Sequence, residues 1–473
     1  MDNEPVSEVI RDPTLIPERF PFVVYRREFF GGLLFNRYMS FYELDPVQTR
    51  VIELCDGTLS QAEIVARIGG EFGFTPIITR QQVQSAFDLF DRYFSLNWRK
   101  QPKLANNRDT RQMILPPGPP AFSAPLYVLW DITYACNLRC KHCLADAGSL
   151  AKQPQSMNLE EVKKILHQLV DLRVFYLNFV GGEPFVRKDM LDILEYASSL
   201  PLGIIITTNG LLINDALVER LQGLNIFDLQ ISIDGLEGTH DAFRGLPGSY
   251  NKALQAVRKL SQAGFRITVN SVMTQWNCHE LEALVELAYQ SGASTYKAVA
   301  FLPVGRGKKN AEELILKPIQ LKKNNLRLKA LKKKYADKIN IDFEENYPLE
   351  NEPAGETKLS HLGQIMGCAA GISQLVIDPY GKVFSCPFLH ELPVGDIKNQ
   401  SLAEIWCDSY ILNVFRNIDK GNLKGKCHGC PQAGIECRGG CRASAFAVKG
   451  DLWDEDPLCW QSGSHSLKAE SHL

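Results

Sequence analysis

Apolar residues recur with two alternating spacings over residues 126–334. Nearly continuous apolar runs predict buried strands at Leu126–Ile132, Val174–Val180, Gly203–Thr208, Phe227–Ile233, Phe265–Met273 and Thr295–Leu302. Helical spacing follows between these runs, at Leu159–Leu172, Asp189–Ser199, Asn214–Gln222, Tyr250–Ala263 and Glu280–Ser291, with a sixth helix from about Pro318. Strands that alternate with helices pair in parallel and carry the helices outside, so this part of the chain predicts an α/β domain.

Residues 1–96 show a different pattern and predict a separate, smaller domain. Two segments rich in aromatic and β-branched residues predict a pair of strands, Pro21–Phe29 and Gly32–Leu44, separated at Gly31-Gly32. Three helices are predicted after them: the first over Val47–Leu54 behind Asp45-Pro46, the second capped by Thr58 or Ser60, and the third from about Arg80 to Phe94.

The other segments predict connections and a second small domain. The proline-rich, polar residues 97–125 predict an extended linker to the α/β domain, which is expected to span 126–345. Residues 346–461 predict a cysteine-rich domain with a hairpin that turns at Gly381, and residues 462–473 predict a disordered tail. The lysines of Lys308–Lys338 interleave with leucines, which favours an outer amphipathic helix over a docking site for an acidic peptide or an electron-donor protein.

Composition limits the class of protein. A chain of 473 residues suits two or three domains, and 45% apolar with 22% charged residues is typical of a soluble globular protein. The net charge of −2 gives no general attraction for nucleic acid or an anionic membrane, and no run approaches the roughly 20 apolar residues of a membrane span. Residues 1–20 contain acids and no apolar run, so no secretory signal is predicted and a cytoplasmic location is expected.

Ten of the thirteen cysteines fall into two groups, which indicates metal ligation. The first group, Cys136, Cys140 and Cys143, has C-x3-C-x2-C spacing on the loop after the first predicted strand. Disulfides need an oxidising compartment, and zinc prefers four ligands in two pairs, with His142 as the nearest extra ligand. The spacing therefore favours an iron–sulfur cluster over zinc, and three thiolates leave one iron of a 4Fe–4S cube open for chemistry.

The triplet resembles the defining motif of the radical S-adenosylmethionine (SAM) enzymes. The resemblance implies a partial (β/α)6 TIM-type barrel, open on one side to admit a large substrate. It also implies that the open iron chelates SAM, and that the reduced cluster releases a 5′-deoxyadenosyl radical that abstracts hydrogen from the substrate. The chain departs from the family at the residue before the third cysteine, which is usually aromatic and here is His142.

Motifs at the carboxyl ends of the predicted strands match further parts of this family pattern, at the positions where barrel enzymes carry their function. Gly181–Pro184 matches a motif whose backbone and glutamate hold the SAM amino group, and the turn Pro303–Gly307 is expected against adenine. The residues that the resemblance assigns to SAM are Gly181, Gly182, Glu183, Pro184, Thr208, Asn209, Ser232, Asp234, Arg244 and Asn270. Each motif alone is an ordinary turn or strand end, so the assignment depends on their joint occurrence behind the cysteine triplet.

The second cysteine group resembles the SPASM domain, an extension of radical SAM enzymes that usually holds two auxiliary 4Fe–4S clusters, which gives three clusters in all. By this resemblance the first auxiliary cluster is bound by Cys368, Cys386 and Cys441, and the second by Cys427, Cys430, Cys437 and Cys459. Six residues, Pro431–Glu436, stand where the family usually has five, and zinc is the rival for this group. The fourth site of the first cluster is open, filled by substrate or water, or taken by Cys407, although Cys407, like Cys55 and Cys278, suits packing as a small hydrophobe.

Strands followed by three helices in residues 1–96 suggest a winged-helix shape, which serves either DNA or peptide binding. Residues 1–100 contain 11 Lys and Arg against 14 Asp and Glu, so no basic face for DNA is evident. The module resembles the precursor-peptide recognition element related to the peptide chaperone of pyrroloquinoline-quinone biosynthesis. That resemblance implies that a leader peptide adds a strand to the sheet edge, with a purely structural cap as the alternative.

Together these resemblances imply a radical SAM/SPASM maturase of a ribosomally made precursor peptide, served by a flavodoxin- or ferredoxin-type reductant, with no nucleic-acid or membrane partner. The surroundings of the triplet look closest to mycofactocin maturases and related spliceases, so a cross-link, a decarboxylation or excision of a tyrosine-derived unit is expected. The alternatives are an anaerobic sulfatase-type maturase, a tetrapyrrole-modifying enzyme and, outside the enzymes, an iron–sulfur redox sensor that binds DNA. The catalytic acid or base stays unassigned, because product chemistry depends on side chains placed in space.

Overall fold

Two units make up the chain in the computed structural model, Met1–Gly118 and Pro119–Leu473. The structure describes residues 12–36, 40–103, 121–148, 156–343, 368–433, 437 and 439–461. The predicted linker over 97–125 lies partly outside the described residues, at 104–120, and the predicted disordered tail over 462–473 lies wholly outside them.

Strands and helices of the first unit follow each other in two blocks. They are β1 (Ile16–Arg19), β2 (Val23–Glu28), β3 (Gly31–Asn36), β4 (Ser40–Leu44), α1 (Pro46–Leu54), α2 (Gln61–Phe72), α3 (Pro76–Arg92) and β5 (Leu96–Arg99). β2, β3 and β4 form an antiparallel sheet in that order, and β1 pairs antiparallel with β5. The pairing of β1 with β5 extends this unit beyond residue 96.

The second predicted strand, Gly32–Leu44, is two strands in the structure. β3 and β4 pair with each other from Asn36↔Ser40 to Gly32↔Leu44, so the chain reverses between Asn36 and Ser40. The sequence gives no signal for this reversal, because neither glycine nor proline lies between these two residues. Gly31 instead serves close packing: its φ is +143°, and a Cβ there would lie 2.3 Å from the carbonyl oxygen of Leu44.

The three predicted helices of the first unit are present, and side-chain caps start two of them. Asp45 and Gln48 form a capping box at α1, and Ser60 and Glu63 form one at α2. The N-cap of the second helix is therefore Ser60 and not Thr58. The helices and the three-stranded sheet enclose one apolar core of fully buried side chains: Leu34, Val51, Ile52, Ile64, Ile68, Val83, Phe87 and Phe90.

The second unit alternates strands and helices. Its strands are β6 (Tyr127–Thr133), β7 (Tyr176–Gly181), β8 (Gly203–Thr208), β9 (Ile226–Ser232), β10 (Ile267–Met273), β11 (Thr295–Ala300), β12 (Asn340–Phe343), β13 (Gln374–Ile377), β14 (Lys382–Phe384) and β15 (Pro393–Asp396). Its helices are α4 (Leu159–Asp171), α5 (Met190–Ser198), α6 (Asp215–Gln222), α7 (Glu237–Arg244), α8 (Ser249–Gln262), α9 (Leu281–Gln290), α10 (Ala311–Leu314), α11 (Pro318–Lys334), α12 (Leu402–Asp408), α13 (Tyr410–Arg416), α14 (Lys426–Gly429) and α15 (Arg442–Lys449). All six predicted strands of the α/β domain and the helices predicted between them are present.

One mostly parallel sheet organises this unit. Its order is β12-β11-β10-β9-β8-β7-β6-β13-β14-β15, so each strand from β6 to β12 lies beside its predecessor in the chain. These seven strands pair in parallel, and β13 also runs parallel to β6, whereas β14 and β15 are antiparallel. The predicted α/β class is confirmed, and the hairpin predicted for the cysteine-rich region extends the same sheet.

The two faces of the sheet differ in polarity. One face carries buried apolar side chains for the helices to cover: Val128, Trp130, Leu177, Phe179, Ile204, Ile206, Leu229 and Ile231. The register places polar side chains together on the other face: Tyr127, Asp131, Asn178, Thr207, Asp228, Gln230, Ser232, Thr268, Asn270 and Lys297. They hydrogen-bond across strands: Asn178 donates to Tyr127 (2.7 Å), Thr207 donates to Asn178 (3.1 Å), and Thr268 donates to Asp228 (2.9 Å). The sequence predicted near-continuous apolar strands, and this polar face is where the sheet departs from that pattern.

Among the described residues, each helix is too short or too polar to cross a membrane.

Leu177 lies at the centre of the apolar face and is 0% exposed, whereas Leu326 on α11 is 48% exposed. We expect Leu177→Ala to lower the free energy of unfolding by about 2 to 5 kcal/mol, because it removes buried methylene groups and leaves a cavity. The same replacement at Leu326 should change it by less than about 0.5 kcal/mol. Denaturant unfolding followed by tryptophan fluorescence measures both, and equal effects would show that the apolar face is not packed as described.

Candidate functional site: a cysteine loop at the carboxyl edge of the sheet

Parallel strands end at the same edge of a sheet, and functional residues of such folds collect there. The cysteine triplet follows β6, Gly181–Pro184 follows β7, Asn209 follows β8, Asp234 follows β9, and the turn Pro303–Gly307 follows β11. The motifs that the sequence singles out are therefore neighbours in space.

Backbone hydrogen bonds close the loop that carries the three cysteines. The N–H of Cys136 donates to the carbonyl oxygen of Gly148 (2.7 Å), and the N–H of Gly148 donates to that of Tyr134 (3.1 Å). Inside the loop the sulfur of Cys136 accepts from the N–H of Leu138 (3.4 Å), and that of Cys143 from the N–H of Ala147 (3.3 Å). Cys136, Cys140 and Cys143 are free thiols.

Arg306 fastens this loop from the end of β11. Its N–H donates to the carbonyl oxygen of Cys143 (2.9 Å), and its guanidinium donates to the carbonyl oxygens of Cys140 (3.0 Å) and Ala147. It also pairs with Asp146 at 2.8 Å. The sequence marked the turn around Arg306 only as an adenine contact, and the side chain's hold on the cysteine loop was missed because its partners lie about 160 residues earlier.

Gly181 and Gly182 bring β7 against the start of the same loop. A Cβ on Gly181 would lie 2.3 Å from the carbonyl oxygen of Thr133, and a Cβ on Gly182 would lie 2.1 Å from that of Ala135. The N–H of Gly182 donates to Thr133 (2.7 Å), and that of Glu183 donates to Ala135 (2.8 Å). The sequence explained these glycines by the approach of a ligand, whereas the structure shows an approach of backbone to backbone.

Glu183 is completely buried and is held by hydrogen bonds from β8. Its carboxylate accepts from the hydroxyl of Thr208 (2.7 Å), the N–H of Asn209 (2.8 Å) and the N–H of Phe185 (3.2 Å). Burial raises the pKa of Glu183 above its usual range, although these hydrogen bonds oppose the shift. The side chain of Asn209 also donates to Asn137 in the cysteine loop (2.7 Å), so the hydrogen bonds around Glu183 extend to the loop that carries the triplet.

Asp234 and Arg244 form a second buried group on the other side of the loop. They pair at 2.6 Å, and their side chains are 0% and 8% exposed. Burial alone would raise the pKa of Asp234, but the charge of Arg244 outweighs it and holds the pKa below its usual range. The carboxylate also accepts from the N–H of Val272 (2.9 Å), which ties the group to β10.

His142 occupies the position that is usually aromatic in the family, and it acts as an aromatic ring here. Its ring stacks on Phe243 with centroids 4.3 Å apart and planes 1° from parallel. Burial lowers the pKa of His142 to about 4, so the imidazole is neutral at pH 7. Its Nε2 lies 3.6 Å from Asp234, and its Nδ1 is buried without a hydrogen-bond partner.

Ser232 and Asn270 are paired opposite each other on the polar face of β9 and β10. The Oδ1 atom of Asn270 is buried and has no hydrogen-bond partner. A buried acceptor of this kind needs a donor, which a bound ligand with an ammonium or hydroxyl group supplies. Of the ten residues that the sequence assigned to SAM, nine lie at the carboxyl ends of β7–β9 or on α7, and Asn270 lies in the middle of β10.

The thiols of the triplet suit a metal cluster better than free thiolates. Burial raises the pKa of Cys136 to about 12 and raises that of Cys140, although the charges of Arg244 and Arg306 oppose the shift at Cys140. Ligand thiols must be deprotonated, and bound iron supplies the positive charge that stabilises them. The two arginines fit a site that holds anionic ligands.

Four cysteines of the second group line one cavity: Cys427, Cys430, Cys437 and Cys459. The N–H of Cys437 donates to the carbonyl oxygen of Gln432 (3.0 Å), which belongs to the stretch that is one residue longer than usual. Among the described residues no three His, Cys, Asp or Glu side chains converge as ligands of one metal ion. A 4Fe–4S cluster binds each thiolate to a different iron, so cysteines spaced around a cavity match it.

The three cysteines predicted for the first auxiliary cluster lie on separate parts of the unit. Cys386 is buried just after β14, Cys441 caps α15 by accepting from the N–H of Ser444 (3.4 Å), and Cys368 precedes β13. Cys407, the alternative fourth ligand, lies on α12, where burial raises its pKa.

Asp131 and His390 form a pair that the sequence did not indicate. Asp131 is on β6 and 3% exposed, and its Oδ2 accepts from Nε2 of His390 (3.1 Å), 259 residues later in the chain. A carboxylate within an apolar strand was a signal for Asp131, because buried charges have partners. His390 follows β14 in a short connection and had no signal of its own.

Comparisons with known proteins agree with this site. The model of the radical SAM superfamily matches residues 130–288, and that of SPASM, an iron–sulfur cluster-binding domain, matches residues 368–431. The AdoMet-dependent heme synthase of Methanosarcina barkeri is 31% identical over 347 residues, covering 71% of this chain and 97% of that protein. The mycofactocin maturase MftC of Mycobacterium tuberculosis is 32% identical over 356 residues, covering 74% of this chain and 87% of that protein.

A solved structure, Streptococcus suis SuiB bound to S-adenosylmethionine, shares the fold at 18% identity. It superposes with a TM-score of 0.69 over 94% of this chain and 100% of that chain. The chain therefore belongs to the radical SAM superfamily and is a SPASM-containing enzyme whose cofactors are S-adenosylmethionine, a SAM-binding 4Fe–4S cluster and auxiliary clusters.

Proposed function

We propose that this enzyme modifies a ribosomally made precursor peptide by abstracting hydrogen from it, as a mycofactocin-type maturase or splicease. The observation that carries the proposal is the first unit, a small β-sheet with open edges joined to a radical SAM unit. The mycofactocin maturase is 32% identical, and SuiB, which has been solved bound to the precursor peptide SuiA, shares the fold over 94% of this chain.

The first unit is the proposed site for the leader segment of the peptide. β2 and β4 are the outer strands of its sheet, and an extended peptide can pair with such an edge through backbone hydrogen bonds. The excess of acids over bases in residues 1–100, 14 against 11, opposes the DNA-binding alternative. We take the unit to be a winged-helix-like recognition element, and residues 104–120, which are not described, to be part of the linker.

The cofactor sites follow from the geometry of the loop. We assign the SAM-binding cluster to Cys136, Cys140 and Cys143, and SAM itself to the two groups around Glu183 and Asp234. When bound, the cluster supplies one electron to SAM, whose cleavage gives the hydrogen-abstracting radical. Arg306 and the two glycines hold the loop in place for it, and Asn270 offers a buried acceptor to the bound SAM.

The auxiliary clusters are assigned as the sequence predicted. The four cysteines around one cavity support the second cluster, and Cys368, Cys386 and Cys441 are the proposed ligands of the first. We also propose that the sheet from β6 to β11 curves into a partial (β/α)6 barrel with its polar face inside, since six sequential parallel strands carry their helices on the apolar face. Ten cysteines in two groups of proposed cluster ligands suit a reducing cytoplasm and a flavodoxin- or ferredoxin-type electron donor.

Heme synthesis is the second candidate, because the Methanosarcina barkeri relative is matched over 97% of its length. Haem-type tetrapyrroles carry several carboxylates, and a site for them needs arginines or lysines. The strand residues of the polar face offer one lysine, Lys297, already paired with Asp342 (3.1 Å), against the carboxylates of Asp131, Asp228 and Asp342. The amide and hydroxyl side chains of the polar face suit a peptide backbone better than a carboxylated tetrapyrrole.

Replacement of a triplet cysteine tests the site. We expect Cys140→Ala to lower bound iron and to abolish 5′-deoxyadenosine formation from SAM under anaerobic conditions with dithionite, because the loop loses a ligand thiolate. Cys278→Ala is the matched control, a half-buried thiol outside both cysteine groups, and should keep both properties. Iron analysis and chromatography of the nucleoside measure them, and turnover by the Cys140 variant would contradict the assignment.

Removal of the first unit tests the peptide substrate. A chain that starts at Pro119 should keep its iron and its uncoupled cleavage of SAM, but should convert peptides encoded beside the gene about tenfold or more less efficiently at low concentration, because the leader no longer tethers the substrate. Mass spectrometry of the peptide measures this. Equal conversion by both chains would contradict leader capture, and consumption of a carboxylated tetrapyrrole in place of peptide would favour heme synthesis.

A further inference from the structure

Asp131 and His390 have the arrangement of a base held by a buried carboxylate. Asp131 lies at the carboxyl end of β6, five residues before Cys136, and its side chain is 5% exposed, while that of His390 is 23% exposed. The carboxylate is therefore buried, and the imidazole is the more exposed partner of the pair. Such a pairing fixes the ring and directs one nitrogen at the carboxylate and the other away from it.

The surroundings of His390 hold its ring in place from several elements. The ring packs edge-on against Tyr134 of the cysteine loop (6.2 Å between centroids) and against Phe384 of β14 (4.9 Å). Tyr134 also donates its hydroxyl to Asp131 (3.3 Å) and packs edge-on against Tyr380. Two further charged groups are near this cluster: Glu391, which follows His390 in the chain, and Asp378, whose carboxylate accepts from the N–H groups of Tyr380 and Lys382.

The nitrogen that faces away from Asp131 is free to act. Nε2 of His390 donates to Asp131, so the neutral ring carries its lone pair on Nδ1, which makes no hydrogen bond within the described residues. The other carboxylates nearby are engaged: Glu183 with β8, Asp234 with Arg244, and Asp228 with Thr268. His390 thus presents an imidazole nitrogen, Nδ1, beside Tyr134 of the cysteine loop.

We propose that His390 is the proton acceptor for the substrate and that Asp131 is its positioning residue. The inference rests on the proposed function, since the proton comes from a peptide that has lost a hydrogen atom. Nδ1 forms a bond to the proton, and the bonding electrons stay on the substrate. An oxidised 4Fe–4S auxiliary cluster, when bound, would supply the one-electron oxidant for the resulting substrate radical anion, so that a closed-shell product and an imidazolium remain.

The test compares variants of the full, cluster-loaded chain with the peptides encoded beside the gene. We expect His390→Ala to keep its iron and to form 5′-deoxyadenosine as the wild type does, but to lose about 100-fold in peptide product, because hydrogen abstraction precedes the proton transfer. Added imidazole should restore part of the product. His279→Ala is the matched control, since its exposed ring lies beside Glu280 outside this group, and it should behave as the wild type.

A second measurement determines which nitrogen of the His390 ring is protonated, and it does not require turnover. In chain labelled with 15N-histidine, NMR should show His390 with a protonated Nε2 and a bare Nδ1, the signal being identified by its absence in His390→Gln. Asp131→Asn should disturb this tautomer and lower product formation while iron content is kept, because the amide can turn its N–H toward the ring.

The possible results separate the two proposals. Full product formation by His390→Ala, failure of imidazole to restore it, or a ring protonated on Nδ1 would each overturn the role of His390. If the wild-type chain cleaves SAM but leaves every peptide unchanged, the proposed function fails, and the tautomer and its dependence on Asp131 still decide whether the pair is built as a base.

Discussion

The close backbone contact between the start of the cysteine loop and the start of the loop after β7 is the constraint on which the site depends. Gly181 and Gly182 leave no room for a side chain, and the N–H groups of Gly182 and Glu183 donate to the carbonyl oxygens of Thr133 and Ala135. The position of the loop then fixes that of Glu183, which in turn orders the end of β8. A single Cβ at this contact would displace the loop that carries three candidate ligands.

Electrostatics around the loop are arranged for anions. Two arginines lie near it: Arg244 is paired with buried Asp234, and Arg306 donates to carbonyl oxygens of the loop. Desolvation is the largest influence on the pKa of Cys136 and Cys140 and raises both, whereas the charges of Arg244 and Arg306 oppose the shift at Cys140. Arg306 thus both holds the loop and favours the thiolate of Cys140, so structure and chemistry are coupled there.

Periodicity predicted the six parallel strands and their helices well, because strands and helices of this length leave strong apolar patterns. It did not predict the reversal between Asn36 and Ser40, where no turn residue interrupts the apolar run. It also missed the polar face of the sheet, since the polar residues of one strand satisfy each other only through neighbours brought alongside by folding. Local pattern carries little information about partners that are distant in sequence.

Spacing alone likewise marked the cysteine loop and the strand-end motifs, which are local in sequence. The residues it missed, Arg306 and His390, act on partners about 160 and 259 residues away. His142 differs from both groups, because the sequence identified it as a departure from the aromatic residue that is usual in the family. Its stacking on Phe243 explains how an imidazole replaces that aromatic side chain.

The distance in sequence between Arg306 and the loop it fastens has a consequence for biogenesis. During synthesis from the N-terminus, the three thiols emerge long before the guanidinium that closes their loop, and strands β7 to β11 must be in place between them. Until then the cysteine loop has its own backbone hydrogen bonds between Tyr134, Cys136 and Gly148 and lacks the contacts from Arg306. The complete surroundings of the three thiols therefore form only when the sheet is finished.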